Sequence, residues 1–516
     1  MPIQSIPNEV FDGQYDFSGG CVMVGDPPDN GYRYGKNIVI RDRRAVTRPG
    51  IRRAFRRNAS GFRTAFYFNA DNAKFNDATH TGFWFPFDFV GSAWGTIQGV
   101  GTFRFLTDGQ LRTIIVSGGR VYAQGEGGYV VEVPVSGDTL TTTESVDFIQ
   151  ANQYLLMLRD EDEPILQWDG GSGGFAACPA GSPQSIVGSA SGAYMAGRVF
   201  LIRDRDDIYV SDVSRPFNYD YVYQYFSIRR GDGDELTAVY PFLNDMAVCF
   251  KRKAISAMIR VNSVVQTGTK YSNYIGIISV AENIGCVAQD CVVTYGNRMA
   301  FLSYNGINYI ERNDEGNINV SQVPLSNPIQ PLIDRINWQY ASVACAGTAG
   351  NYLFFAVPMD GATYNNKVLV YDLLANNGTG AWLGLWESEH MQPVKFIPID
   401  QSMYFLDRDG TLRVMFTGDP WDSDEPFVDT DDYSATVQYY PGDHVLYTVN
   451  GTDTIFVCIE QSYGNLPTNT TYWTAVTDPQ NLYKIETELQ TRFYRHNDKE
   501  SPKRCGITEI TYRHQD

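Results

Sequence analysis

A hydrophobic strand core, a turn and a second strand recur seven times along this chain, without any repeat of the letters themselves. The units are "LRTIIVSGGRVYAQ" (111–124), "QYLLMLRDEDEPILQWDG" (153–170), "GRVFLIRDRDDIYVSD" (197–212) and "DMAVCFKRKAISAMI" (245–259). They continue as "NRMAFLSYNGINYIER" (297–312), "NYLFFAVPMDGATYNNKVLVYDL" (351–373) and "QSMYFLDRDGTLRVMF" (401–416). Their spacing, about 40 to 55 residues, is the period of propeller blades built from four-stranded sheets. One small antiparallel sheet cannot bury both of its faces. Stacking each sheet on its neighbours around an axis covers the faces and leaves only short edges. The repeat therefore predicts an all-β fold with a β-propeller body of six to eight blades; a long β-sandwich array is the structural alternative. Asp-Gly, Asn-Gly and Gly-Gly turns, together with 33 Tyr and 29 Phe, fit that class. The best helical signal is 327–340, where Ile329, Leu332, Ile333 and Ile336 fall near a 3.6-residue period.

A chain of 516 residues exceeds what one hydrophobic core usually organises, so a large body plus an accessory module is expected. Charge marks out the module. Between Asp419 and Asn481 there are eleven Asp and Glu and no Lys or Arg, so this stretch supplies −11 of the net −18. Its leading edge, "TGDPWDSDEPFVDTDD" (417–432), reads as a solvated connection. After 475–481 the chain resumes as "LYKIETELQTRFYRHNDKESPKRCGITEITYR", a pair of strands around a polar loop. The expected division is a basic N-terminal segment joining the body (1–60), a propeller body (61–418), an inserted small β module (419–481) and closing strands of the body (482–516). Insertions of this kind succeed at loop tips whose ends lie close together.

Several function classes find little support. No run of about 18 apolar residues exists to span a membrane, and the first twenty residues have neither a basic leader nor a continuous apolar segment. The eight Cys include no Cys-x-x-Cys, which fits buried, reduced thiols in a protein made in a cytosol. Five scattered His give a metal site little to build on, so neither a metal nor a cofactor is expected. The sequence has no phosphate-binding Gly-x-x-x-x-Gly-Lys loop and no His-Glu-x-x-His. A glycosidase needs only two facing carboxylates, and 59 acids leave that open. The reading is nonetheless non-enzymatic, with no catalytic residue assigned.

By contrast with the module, residues 32–57 carry ten basic residues and one acid. Alternation in "NIVIRDRRAV" puts Ile38 and Ile40 on one strand face and Val39 and Arg41 on the other. Arg41, Arg43, Arg44, Arg52, Arg53 and Arg56 form a candidate partner interface, because guanidinium groups suit carboxylate and phosphate recognition. A solvated strand face and direct DNA contact are the competing readings.

Three segments, "NIVIRDRRAVTRPGIRRAF" (37–55), "YVSDVSRPFNYDY" (209–221) and "ENIGCVAQDCVVTYGNRMAFLSYNGINYI" (282–310), resemble the tail nozzle, or packaged-DNA stabilisation, proteins of short-tailed bacteriophages. The resemblance implies a virion tail component made in the host cytoplasm, a homo-hexameric ring that closes the DNA channel and opens for genome ejection on host attachment. Its implied partners are the tail adaptor ring, tail fibres or spikes, and DNA passing through the lumen without sequence-specific binding. "DGGSGG" (169–174) and "VQTGTKYSNYIG" (265–276) are candidate gating loops. The insert resembles a second family, the small carbohydrate-binding modules found beside chitinases. The matching residues are Tyr440, Gly442, Asp443, Val445, Tyr447, Asn450, Gly451, Phe456, Cys458, Gly464, Pro467 and Trp473. That resemblance implies aromatic stacking on a host surface polysaccharide, with Tyr463, Tyr440 and Tyr472 as the contact candidates and Trp473 and Tyr447 in the small core. The alternatives are a lectin-like glycan-binding propeller and a glycan-cleaving tail enzyme.

Overall fold

The computed structural model of the chain describes residues 16–53, 97–105, 109, 111–124, 130–243, 245–261, 265–267, 270–272, 275–313, 317–399, 402–408, 412–416, 421–423, 432–439, 444–475 and 482–491. Seven antiparallel sheets follow one another along the chain, each opening with an inner strand. The inner strands are Ile97–Arg104, Asp147–Ala151, Gly192–Met195, Leu236–Phe242, Val292–Tyr295, Cys345–Ala349 and Pro393–Ile399. Consecutive inner strands lie beside one another, apart from the fourth and fifth sheets, which share a core instead, and Pro393–Ile399 returns to Ile97–Arg104. The body is a closed seven-bladed β-propeller, and each of the seven sequence units supplies the middle strands of one blade.

Closure comes from the N-terminal segment. The seventh blade takes three strands from 393–415 and its fourth from Ile51–Arg53, with Met415 opposite Ile51 and Arg413 opposite Arg53. Joining the ends of the chain within one blade ties the ring shut, because opening it breaks a full strand pairing. The sixth blade is widened: beyond Ala381–Trp386 it adds Gly31–Lys36 in parallel, then Gly20–Cys21, while Glu488–Thr491 pairs antiparallel with Gly31–Lys36. The basic head is thus a structural part of the propeller and not an appendage.

Hydrophobic wedges fill the spaces between blades. Phe103, Ile114, Trp168 and Phe175 pack between the first and second. Phe200, Val210, Cys249 and Met258 pack between the third and fourth. A larger core centred on Phe250, Phe301, Leu332 and Phe355 joins the fourth, fifth and sixth. Each such side chain contributes about 1.5–3 kcal/mol on burial. The pattern at 327–340 reported burial and not helix length: Ile329, Leu332, Ile333 and Ile336 are all buried, but the α-helix is the single turn Gln330–Ile333, flanked by the short 3-10 helices Asn327–Ile329 and Trp338–Val343. Pro328 and Pro331 remove backbone donors there, which keeps the helix short. Ile38 and Val39 lie on opposite faces of their strand, as the alternation in "NIVIRDRRAV" predicts, and both are buried. One face meets the core of blades four to six and the other the aromatic wedge of blades six and seven.

The candidate gating loops are short turns. Residues 169–174 link Leu166–Trp168 to Phe175–Ala177, and the Trp168 indole donates to the Gly171 carbonyl at 2.8 Å. Residues 170–174 spell Gly-x-Ser-x-Gly, but they join two strands and lack the helix of a nucleophile elbow. The other loop forms a small hairpin, Val265–Thr267 with Lys270–Ser272, between the third and fourth strands of blade four.

Inner strands crowd most closely near the axis, and glycines make the room. A Cβ on Gly347 of blade six would stand 2.5 Å from Phe396 Cβ of blade seven, and one on Gly101 would stand 2.6 Å from Phe148 Cβ. Gly347→Ala is therefore expected to destabilise the body by about 1–3 kcal/mol, read from the urea midpoint. An unchanged midpoint would contradict this packing.

Candidate functional site

The axis of a seven-bladed ring is where chemistry from several blades can meet, and here it is filled by charge. Lys395 on the inner strand of blade seven reaches Asp147 Oδ1 of blade two and Asp290 Oδ1 at the approach to blade five, both at 3.2 Å. Gln289 Nε2 donates to Asp147 Oδ2 at 2.7 Å, and the Tyr240 hydroxyl of blade four donates to the Gln289 carbonyl at 2.9 Å. The Asp290 carbonyl accepts from the Ala346 N–H of blade six at 2.8 Å. Blades two and five lie on opposite sides of the ring, so these contacts cross the centre. Burial lifts the Asp147 carboxyl above its ordinary range; the Lys395 ammonium opposes the lift and the Asp290 charge adds to it. Burial alone would lower Lys395, but Asp290 and Asp147 outweigh it and hold the ammonium above the usual lysine range. An ammonium so stabilised is a poor nucleophile or base, and its role here is to bridge.

The candidate interface arginines separate into distinct environments. Ile38–Arg41 and Arg44–Thr47 form a hairpin whose turn residues, Asp42 and Arg43, have φ of 50° and 65°. Left-handed values at both positions define the tight turn that matches strand twist. Arg41, Arg43 and Arg44 therefore project together from an exposed tip. Arg52 is half-buried in the closing strand of blade seven, and Arg53 is its neighbour in that strand. Their backbones are committed to the ring, so they do not belong to the tip. Arg56 lies outside the described residues.

The most buried arginine of the head had no place in the sequence-based set. Arg48 is fully buried and forms a bidentate pair with Asp422 at 2.8 and 2.7 Å. Asp422 Oδ1 also accepts from the Ile51 N–H at 3.1 Å. Arg48 Nε donates to Asn37 Oδ1, and Asn37 Nδ2 donates to the carbonyls of Glu387 and Glu486. Asp422 sits in Trp421–Ser423, which pairs with Leu482–Lys484 so that Ser423 faces Leu482. The chain therefore leaves and re-joins the body at adjacent residues, and 421–423 is on the body side. These three residues fall inside the 419–481 span expected for the module. No local pattern signals the Arg48 pair, whose partners stand 374 residues apart.

Within the insert, His444–Val449, Thr452–Cys458 and Trp473–Ala475 make a three-stranded sheet, and Gln438–Tyr439 pairs with Ser462–Tyr463. Tyr439, Val445, Phe456, Cys458 and Trp473 form its core. Tyr447 and Tyr472, both half-buried, pack against that core. Tyr463 is 64% exposed. Its loop is fixed from behind, because the Trp473 indole donates to the Asn465 carbonyl at 3.0 Å and Gly464 takes φ +72°. Tyr440 lies outside the described residues. Among the described residues the cysteines form no disulfide, and burial pushes Cys286 up to about 12. Among the described residues there is no cluster of metal-binding side chains and no helix long and apolar enough to cross a membrane.

No protein-family model matches the sequence, and no curated protein sequence matches it. Similar solved structures include the computationally designed Ika8 protein, at 10% identity and TM-score 0.38, covering 63% of this chain and 98% of that one. Virginiamycin B lyase from Staphylococcus aureus gives 12% identity and TM-score 0.40, over 62% of this chain and 94% of its own. BamB from Moraxella catarrhalis gives 11% identity and TM-score 0.32, over 62% and 97%. The propeller assignment rests on the strand pairing of the chain itself.

Two excisions distinguish the module from its stem. Removing 424–481, with a short linker from Ser423 to Leu482, is expected to leave the melting temperature of the body unchanged. Removing 419–481 also deletes Asp422 and strands the Arg48 guanidinium in the interior, at a cost of about 3–5 kcal/mol. Equal stability of the two products would contradict the role of the buried pair.

Proposed function

We propose that the chain is a non-enzymatic virion protein, a tail nozzle subunit whose homo-hexameric ring closes the DNA channel and opens on host attachment. The observation that carries this reading is the filled axis. Lys395, Asp147 and Asp290 are bridged across the centre, so side chains occupy the propeller axis; on this reading the propeller is a wall element and DNA passes between subunits. The resembling segments supply the closing strand and hairpin (37–55), the third blade (209–221) and the fifth blade (282–310). A net charge of −18 suits a wall past which DNA slides, because a basic lumen would retain the phosphates. The tail adaptor ring and the tail fibres or spikes are the expected neighbours.

A second reading, glycan binding, is favoured by Tyr463 on its braced loop. An exposed aromatic face held rigid can stack on the C–H face of a sugar. On this reading the insert approaches host surface polysaccharide while the body serves as its support.

Imaging the assembled particle tests the main reading. A ring of six subunits at the distal end of a tail is expected. A stubborn monomer of the purified chain that binds host polysaccharide, and loses that binding in Tyr463→Ala without a change in melting, would replace the nozzle by the lectin-like reading. Release of reducing ends from the polysaccharide would replace both.

A further inference from the structure

The arginine hairpin carries two costs that its fold does not require. Arg41 and Arg44 stand directly opposite one another across the turn. Like charges in that position destabilise an antiparallel pair. Arg43 holds φ of 65° at the second turn position, where Gly is the least costly choice. Left-handed conformations of bulky residues persist where the surroundings fix them, and they concentrate at functional positions. The surroundings do fix this hairpin: the Trp386 indole donates to the Ile38 carbonyl at 2.9 Å, and Ile40 and Val46 pack on the wedge between blades six and seven. Arg41 and Arg44 are exposed and form no ion pair among the described residues, while Arg43 reaches only Asp16, at 3.8 Å. A rigid root thus presents two guanidinium groups on adjacent positions with a third beside them.

We propose that this tip docks on a carboxylate-rich protein surface, and that the surface is the acidic insert of a second copy of this chain. The inference rests on the reading of the chain as a ring-forming subunit and assigns the contact that would join neighbours. Guanidinium groups grip carboxylates through paired, charge-assisted hydrogen bonds. The complement is present on the same chain: 419–481 carries −11 with no basic residue, and Asp432, Asp453 and Glu460 are exposed on it. Duplex DNA fits less well, because the chain as a whole, at a net −18, repels a polyanion at long range. A tip on one copy meeting an insert on the next is a head-to-tail contact, which closes into a ring when the rotation allows.

Sedimentation of the full chain at low and high salt tests this. Self-association is expected at low salt and should weaken by about tenfold or more as salt screens the contact. Arg41→Glu with Arg44→Glu, and separately Asp453→Lys with Glu460→Lys, should each abolish it, and mixing the two variants should restore it. Arg43→Gly should shift the melting temperature upward, confirming that the turn holds its arginine at a cost. Association that neither reversal weakens, or that mixing fails to restore, overturns the docking and leaves the ring reading standing on other contacts. A chain that remains monomeric at all salts also overturns it, while a six-fold ring in particle images would still preserve the nozzle reading. Binding of a labelled DNA duplex that is lost in the Arg41 and Arg44 variant and indifferent to the insert variant would assign the tip to nucleic acid instead.

Discussion

The structure depends on one ammonium group bridging two carboxylates at the centre of the ring. Hydrophobic wedges hold neighbouring blades together two or three at a time, but they do not reach across the axis. Lys395, Asp147 and Asp290 do, with Gln289, Tyr240 and the backbone of Ala346 extending the set to five blades. Charges taken partly out of water are costly unless geometry and added hydrogen bonds compensate them. Here both acids face one lysine, and Asp147 accepts on both oxygens. The result is a centre satisfied by the protein itself, which leaves the functional surfaces at the rim.

Those surfaces meet at one corner. The basic hairpin runs directly into Arg48, and Arg48 holds Asp422 at the stem of the insert. Asn37 ties the same point to the exit of blade six and to the strand after the insert. The closing strand of blade seven begins three residues later, with its first N–H also on Asp422. Head, ring closure and the stem of the insert thus share one buried node.

Much of the body was legible in the sequence because blades are local. Each repeat unit is a hairpin, its turns are spelled by Gly, Asn and Asp, and its strands read as apolar runs, so their spacing gave a propeller and bracketed the blade number. Closure of blade seven by Ile51–Arg53 was not legible, since it joins residues 360 to 364 positions apart. The same limit hid Arg48–Asp422 and the axial lysine, which look like any surface charge until the ring brings them together. In the insert, composition separated an acidic module from a balanced body. It also named Tyr463 as the outward aromatic. The half-buried position of Tyr472 against the insert's core depends on how a very small core is filled. The arginine cluster was visible as charge, yet its division into an exposed tip, a closing strand and a buried anchor follows from the hairpin register alone.

The pH dependence of stability in Lys395→Met tests the central place of the axial bridge most directly. A carboxyl whose folded pKa is raised binds protons more tightly in the folded state, so stability falls as pH rises from the unfolded value through the raised one. Burial already holds the Asp147 carboxyl above the ordinary carboxylate range with Lys395 beside it. Removing the ammonium raises it further. The account predicts that the variant is less stable than the parent by about 3 kcal/mol at neutral pH, that the deficit shrinks as pH is lowered toward 4, and that adding Asp147→Asn recovers part of it at neutral pH. A deficit that does not change with pH, or no deficit at all, would show that the ring does not depend on its axial charges.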